Sequence, residues 1–271
     1  DHRESRGLGD VYKRQGQTRF TALASGEIDF LARNTTWTFS RDVDLKFEFI
    51  GINYYDGQGF MVPRALGVSS AKDLDGATVC IQTGTTTELN LADYFRSNNI
   101  SYEPVPIETN AEGQQQYLAG ACDTYTTDAS GLAATRATFE NPDDHVLLPE
   151  IISKEPLGPL VRHGDNEWAD VARWTLNALV AAEELGVTSA NIAEMANGTN
   201  NPEINRLLGT EGGLGAMLGL GSDWAMNAIM AGGNYGELFE KNIGENTPIG
   251  LARGLNAMWT EGGLIYTPPF R

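Results

Sequence analysis

Hydrophobic positions along the chain change period several times, and each change marks an element. RFTALASGE reads as the end of a helix closed by Gly26, and IDFLAR as a short buried strand. DLKFEFIGINYYDGQGFMV reads as further strands broken by glycines. From SAKDLDG a unit repeats: ATVCIQ as strand, TTTELNLADYFRSN as helix, SYEPVPI as strand, AEGQQQYLAG as helix and CDTYTTD as strand. Strands alternating with helices predict a parallel, doubly wound α/β lobe. EPLGPLVRHGD leaves that lobe as a strand, and NEWADVARWTLNALVAAEELG carries Trp168, Val171, Trp174, Leu176, Leu179 and Val180 near helical spacing. Shorter helical pieces follow, SANIAEMAN, PEINRLLG, SDWAMNAIMAGG and YGELFEKNIG, with no further α/β repeat. The expected organisation is an inserted lobe over 63–159, a second lobe begun by 16–62, and its completion with a helical C-terminal region over 160–271.

The opening stretch, DHRESRGLGDVYKRQ, has neither period and carries four basic against three acidic residues. SRGLGDVYKRQ resembles a translated sequencing adaptor, whose end GATGTGTATAAGAGACAG reads Asp-Val-Tyr-Lys-Arg-Gln. Residues 1–15 are therefore expected to be non-native, the native sequence beginning near Gly16.

Composition narrows the function classes. The 271 residues hold 36 acidic and 19 basic side chains, a net charge of −17, which argues against a coat for nucleic acid phosphates. No apolar run reaches the roughly 18 residues of a membrane span. Two cysteines and three scattered histidines, His2, His145 and His163, do not make a zinc site, so no metal is expected. There is no nucleophile elbow, no triad in plausible context and no catalytic residue to nominate.

Three segments carry candidate binding chemistry. QTGTTTELN runs from a strand through a glycine turn into a helix opened by threonines, which is an anion site built from free N–H groups. Thr85 with Glu88 three residues on reads equally as a capping box. In ARNTTWTFSR, Arg41 follows a strand end, where open sheets bind ligands and a guanidinium suits a carboxylate. It reads equally as a surface arginine paired with Asp42 or Asp44. In CDTYTTDAS, Asp128 ends a strand, either capping the next helix or offering an acceptor to an ammonium. Together they describe a trap for a zwitterion. Cys80 and Cys122 sit on two strands of the inserted lobe, either as a disulfide or as two buried thiols.

These segments, with INYYDGQGFMV, VLLPEIISKEPLGP, GNYGELFEKNIG and RGLNAMWTEGGLIYTPPFR, resemble the polar amino acid-binding proteins of ABC transporters, and most of all the general L-amino acid-binding branch. The resemblance runs from Gly16 to Arg271. It implies a two-lobe periplasmic binding protein type 2 fold, a periplasmic location, a monomer, an L-amino acid ligand, a membrane permease as partner and no cofactor. Carried over residue by residue, Arg41 matches the carboxylate-binding arginine and Thr36 a hydroxyl and backbone donor. Asn34 matches the position whose carbonyl takes the ammonium, Thr85 and Thr86 the helix-opening donors, and Asp128 the ammonium-binding carboxylate. Gln82 falls beside the ligand's side chain. The sequence departs from the family in one place: its first strand, the following loop and helix, and its second strand are missing, leaving the first lobe incomplete. Two rival functions share the architecture, a dehydratase-like enzyme and a ligand-sensing domain.

Overall fold

Helix α1 (Arg19–Ala24) closes at Gly26, whose φ of 76° is a conformation glycine adopts without strain. The structure, a computed structural model, describes Gly16 and residues 18–271. The expected non-native segment 1–15 lies outside the described residues. IDFLAR does not form the strand its pattern predicts. Only Leu31 pairs, in a single bridge to Leu160, and only Leu31 of that stretch is buried. Leu160 takes Leu31 on one edge, while its other edge faces β1 (Phe47–Phe49). After β1 come β2 (Tyr54–Asp56) and β3 (Gln58–Pro63).

The repeating unit then folds as β4 (Ala77–Gln82), α2 (Thr86–Asn98), β5 (Tyr102–Ile107), α3 (Asn110–Leu118), β6 (Thr124–Asp128) and α4 (Ala129–Arg136), followed by β7 (His145–Leu147). Its sheet has the order β5-β4-β6-β3-β7. β4 pairs parallel with β5 and β6, whereas β3 runs antiparallel to β6 and β7. The sheet is thus mixed, not wholly parallel as the alternation predicted. A strand buried on both faces shows the same apolar run in either direction, so its pattern carries no sign of orientation. Successive residues face opposite sides. Phe60, Val79 and Ile81 pack with Leu91 and Phe95 of α2, and Met61 and Cys80 pack with Tyr117, Tyr125 and Leu132 beneath α3 and α4. Cys80 and Cys122 form a disulfide with Cα atoms 5.6 Å apart.

From this lobe the chain returns through β8 (Glu155–Leu157) to β9 (Leu160–Arg162). β8 pairs antiparallel with β2, and β9 with β1, so a two-stranded ribbon joins the five-stranded sheet to the other lobe. Asn256 braces the ribbon, accepting from the Tyr55 amide at 2.7 Å and donating to its carbonyl at 3.0 Å. The second lobe packs Leu23, Leu31, Phe47, Phe49 and Leu160 in one cluster. Helix α5 (Asn166–Glu184), N-capped by the Asp165 side chain, lays Ala169 and Ala172 against Ile50 and Val161. Its far end packs on α6 (Ile192–Met195), α7 (Pro202–Leu207), α8 (Leu214–Met217) and α9 (Trp224–Gly232). Of these, α8 is absent from the sequence pattern. α10 (Tyr235–Asn242) opens on a capping box between Asn234 and Glu237.

Candidate functional site

The C-terminal ends of β4 and β6 open on a small cavity facing the loop over residues 33–36 of the second lobe. Asn34, Thr36, Gln82, Thr85, Thr86 and Asp128 all line it. Two contacts close the gap between the lobes. Asn34 Nδ2 donates to Asp128 Oδ2 at 2.8 Å, and the hydroxyls of Thr36 and Thr86 lie 3.3 Å apart.

Each of the three local alternatives open in the sequence is unoccupied. Thr85 has the extended backbone of an N-cap, but its hydroxyl donates back to the Gln82 carbonyl at 2.7 Å and caps nothing. Glu88 accepts from the Gly84 amide at 3.0 Å, so the expected capping box does not form. Asp128 stands at the N-cap of α4 without capping it and turns instead to Asn34. Arg41, in the turn of π-helix Ser40–Asp44, pairs with neither Asp42 nor Asp44. Its Nη1 donates to the Thr36 carbonyl at 2.8 Å, and Asp42 accepts from the Trp37 indole at 2.7 Å.

Arg41 is buried but lies outside the cavity lining, behind Thr36. The Asn34 carbonyl accepts from Arg19 Nη1 at 2.9 Å. The Gln82 amide donates to the Glu108 carbonyl at 2.7 Å. The arginines that line the cavity are Arg19 and Arg33, neither of which the sequence pattern singled out. Arg19 is 4% exposed, and its Nε has no hydrogen-bond partner.

The electrostatics are those of charges held out of water. Burial, with Arg41 and Arg33 nearby, lowers the Arg19 guanidinium to about 9. Burial also lowers Arg33 and Arg41, against the attraction of Asp128 and, for Arg41, of Glu155. Burial pushes Asp128 up to about 7; the Asn34 hydrogen bond and Arg19 oppose this, while Asp56 and Glu155 add to it. Asp56 is also raised by burial, against hydrogen bonds from Ser130 and Gly57. Buried Arg19 and Arg41 and half-buried Arg33 thus stand near Asp128, Glu155 and Asp56, a setting suited to a ligand with both signs of charge. Glu155, buried on β8, is a further residue the sequence reading passed over. Its one sequence signal was an acid at the start of an otherwise apolar crossover strand.

No protein-family model matches the chain. It is 68% identical over 269 residues to the glutamate/glutamine/aspartate/asparagine-binding protein BztA of Rhodobacter capsulatus, covering 97% of this chain and 80% of that protein. An ABC transporter periplasmic binding protein from Brucella ovis, solved with glutathione bound, matches with a TM-score of 0.94 and 55% identity over 97% of this chain and 83% of that one. The chain belongs to the amino acid-binding proteins of ABC transporters. Another such binding protein, the general L-amino acid-binding periplasmic protein AapJ of Rhizobium johnstonii, is 58% identical over 255 residues, 93% of this chain and 74% of its own length. These relatives are solute-binding proteins. Among the described residues of this member, no helix is long and apolar enough to cross a membrane.

Proposed function

We propose that the chain captures L-amino acids, foremost glutamate, glutamine, aspartate and asparagine, between its two lobes in the periplasm and passes them as a monomer to a membrane permease. The observation that carries this reading is the contact of Asn34 and Thr36 with Asp128 and Thr86 across one polar cleft. Asp128 takes the ammonium, replacing the bond it now shares with Asn34. The carboxylate is held by Thr36, by the Thr85 and Thr86 N–H groups at the start of α2, and by the charge of Arg41 behind them. Gln82, Arg19 and Arg33 face the ligand's side chain, and two guanidinium groups favour a terminal carboxylate or amide oxygen. Binding bridges the lobes, so the amino acid stabilises the closed form by its differential affinity for it.

Isothermal titration with the four named amino acids, with L-leucine and with glutarate tests the reading. Saturable binding of the four at one site, weaker binding of leucine and none of glutarate is the expected result. Glutarate binding as tightly as L-glutamate would remove Asp128 from the ammonium role. No binding across the twenty L-amino acids would overturn the function.

A further inference from the structure

Glu155 stands where both lobes and the ribbon between them meet, and the binding of an amino acid leaves it without a task. It opens β8 opposite Asp56 of β2, is 2% exposed and lies outside the lining of the cavity. Its Oε2 accepts the Thr36 hydroxyl, from one lobe, and the Thr86 hydroxyl at 3.1 Å, from the other. Its Oε1 accepts from the Asn90 side-chain amide at 2.6 Å and from the Ser153 hydroxyl at 2.6 Å. Four donors fill the lone-pair sites of an ionised carboxylate. Arg41 supplies the nearby positive charge, while Asp56 and Asp128 feel Glu155 as a like charge.

A carboxylate removed from water is costly unless its lone pairs are satisfied. Thr36 and Thr86 belong to different lobes, so both hydroxyls reach Glu155 together only while the lobes are shut. Parting them withdraws donors from one side of a buried charge, and hydrogen bonds to a charged acceptor are the strong ones. The carboxylate therefore favours closure whether or not a ligand is present.

We propose that Glu155 is a positioning residue that clasps the two lobes: held on the ribbon, its carboxylate ties Thr36 to Thr86 and Asn90 and sets how much of the ligand-free protein is closed. For affinity, the proposal rests on the reading of the cleft as an amino acid site. The apparent affinity of a two-state binder scales with the fraction in its competent state. Glu155 thus tunes amino acid affinity from outside the cavity.

Small-angle scattering of the solute-free protein, joined to titration with L-glutamate, tests the clasp in Glu155→Ala, Glu155→Gln and Asn90→Ala. In Glu155→Ala the solute-free radius of gyration should rise and the dissociation constant increase by about tenfold or more, the scale of a lost charged hydrogen bond. Saturating L-glutamate should return it to the compact form. Glu155→Gln, which keeps an acceptor for Asn90 and Ser153 but loses the charge, should fall between the two. Asn90→Ala, which removes a donor from one lobe only, should shift both readouts in the same direction by less. If solute-free scattering and affinity stay at wild-type values while only thermal stability drops, Glu155 is a structural hydrogen-bond acceptor and the clasp is overturned. Should Glu155→Ala fail to fold, the Gln and Asn90 variants decide by the same comparison. A wild type that binds no amino acid, yet opens on loss of Glu155, would sink the binding function and leave the clasp standing.

Discussion

Asn34 and Asp128, 94 residues apart in the chain, share a 2.8 Å hydrogen bond that spans the two lobes. This bond works against the burial that pushes Asp128 up to about 7, and so keeps part of the carboxyl ionised near neutral pH. An ammonium binds the ionised form. Below about pH 7 the ligand-free cleft carries a proton that binding must expel, so L-glutamate affinity should fall as pH drops, approaching about tenfold per unit. Titrations in buffers of differing ionisation enthalpy count that proton; no release near pH 6 would contradict the ammonium role.

The same shift acts on the stability of the ligand-free protein with the opposite sense. The unfolded carboxyl titrates near about 3.9. Between that value and about 7 the folded state binds more protons, so the stability from this group is full below about pH 4 and lost as pH rises through 7. Asp128→Asn should flatten this dependence and raise the ligand-free melting temperature at pH 8 while abolishing tight binding. Scanning calorimetry of both proteins between pH 5 and pH 8 reads the difference.

Arg41 holds the Thr36 carbonyl at 2.8 Å from a buried position, with Glu155 and Asp128 as its counter-charges. Arg41→Ala should weaken L-glutamate binding by about 2–5 kcal/mol, because it leaves buried carboxylates without their partner. Lysine, a compact charge lacking the planar fork, should recover only part of the loss. Titration beside circular dichroism separates lost affinity from lost fold.

The Cys80–Cys122 bridge closes a loop with a sequence separation of 42 and ties β4 to the start of β6. Chain-entropy arguments put its contribution at about 4 kcal/mol. Replacing both cysteines with alanine should lower the urea midpoint accordingly. Amino acid affinity measured well below the transition should survive, since neither cysteine lines the cleft.

Gly158 lies between β8 and β9, where an added Cβ would come within 2.1 Å of the Gly51 carbonyl oxygen. Gly158→Ala should cost about 1–3 kcal/mol, because backbone on both sides has little room to move. Gly131→Ala in α4 is the control. There the Cβ meets Thr127 Cγ2 at 3.5 Å, an ordinary contact, and the helix gains up to about 1 kcal/mol. Urea unfolding of the pair gives the contrast.

Much of the site was legible because strand ends and helix starts are local signals. A glycine turn followed by threonines marks the α2 N-terminus whatever surrounds it, and Asp128 at the close of β6 points into the same crevice. Local signals also misled. Thr85 and Glu88 have the spacing of a capping box, but the Thr85 hydroxyl turns to Gln82. IDFLAR has the composition of a strand, but only Leu31 of it is buried and paired, in one bridge on the edge of β9 away from β1.

The sequence by itself determined the strand–helix unit from Ala77 to Asp128, the long helix α5 and most of the residue types lining the candidate cleft. Each of these depends on neighbours within a few turns of chain. Tertiary structure alone decided that β3 runs antiparallel, that Arg41 serves the Thr36 carbonyl, and that Arg19 and Arg33 line the cleft. It alone brought Glu155 to Thr36, 119 residues away. Hydrogen bonds to a buried charge are set by which donors the folded lobes deliver, and no periodicity along the chain records that.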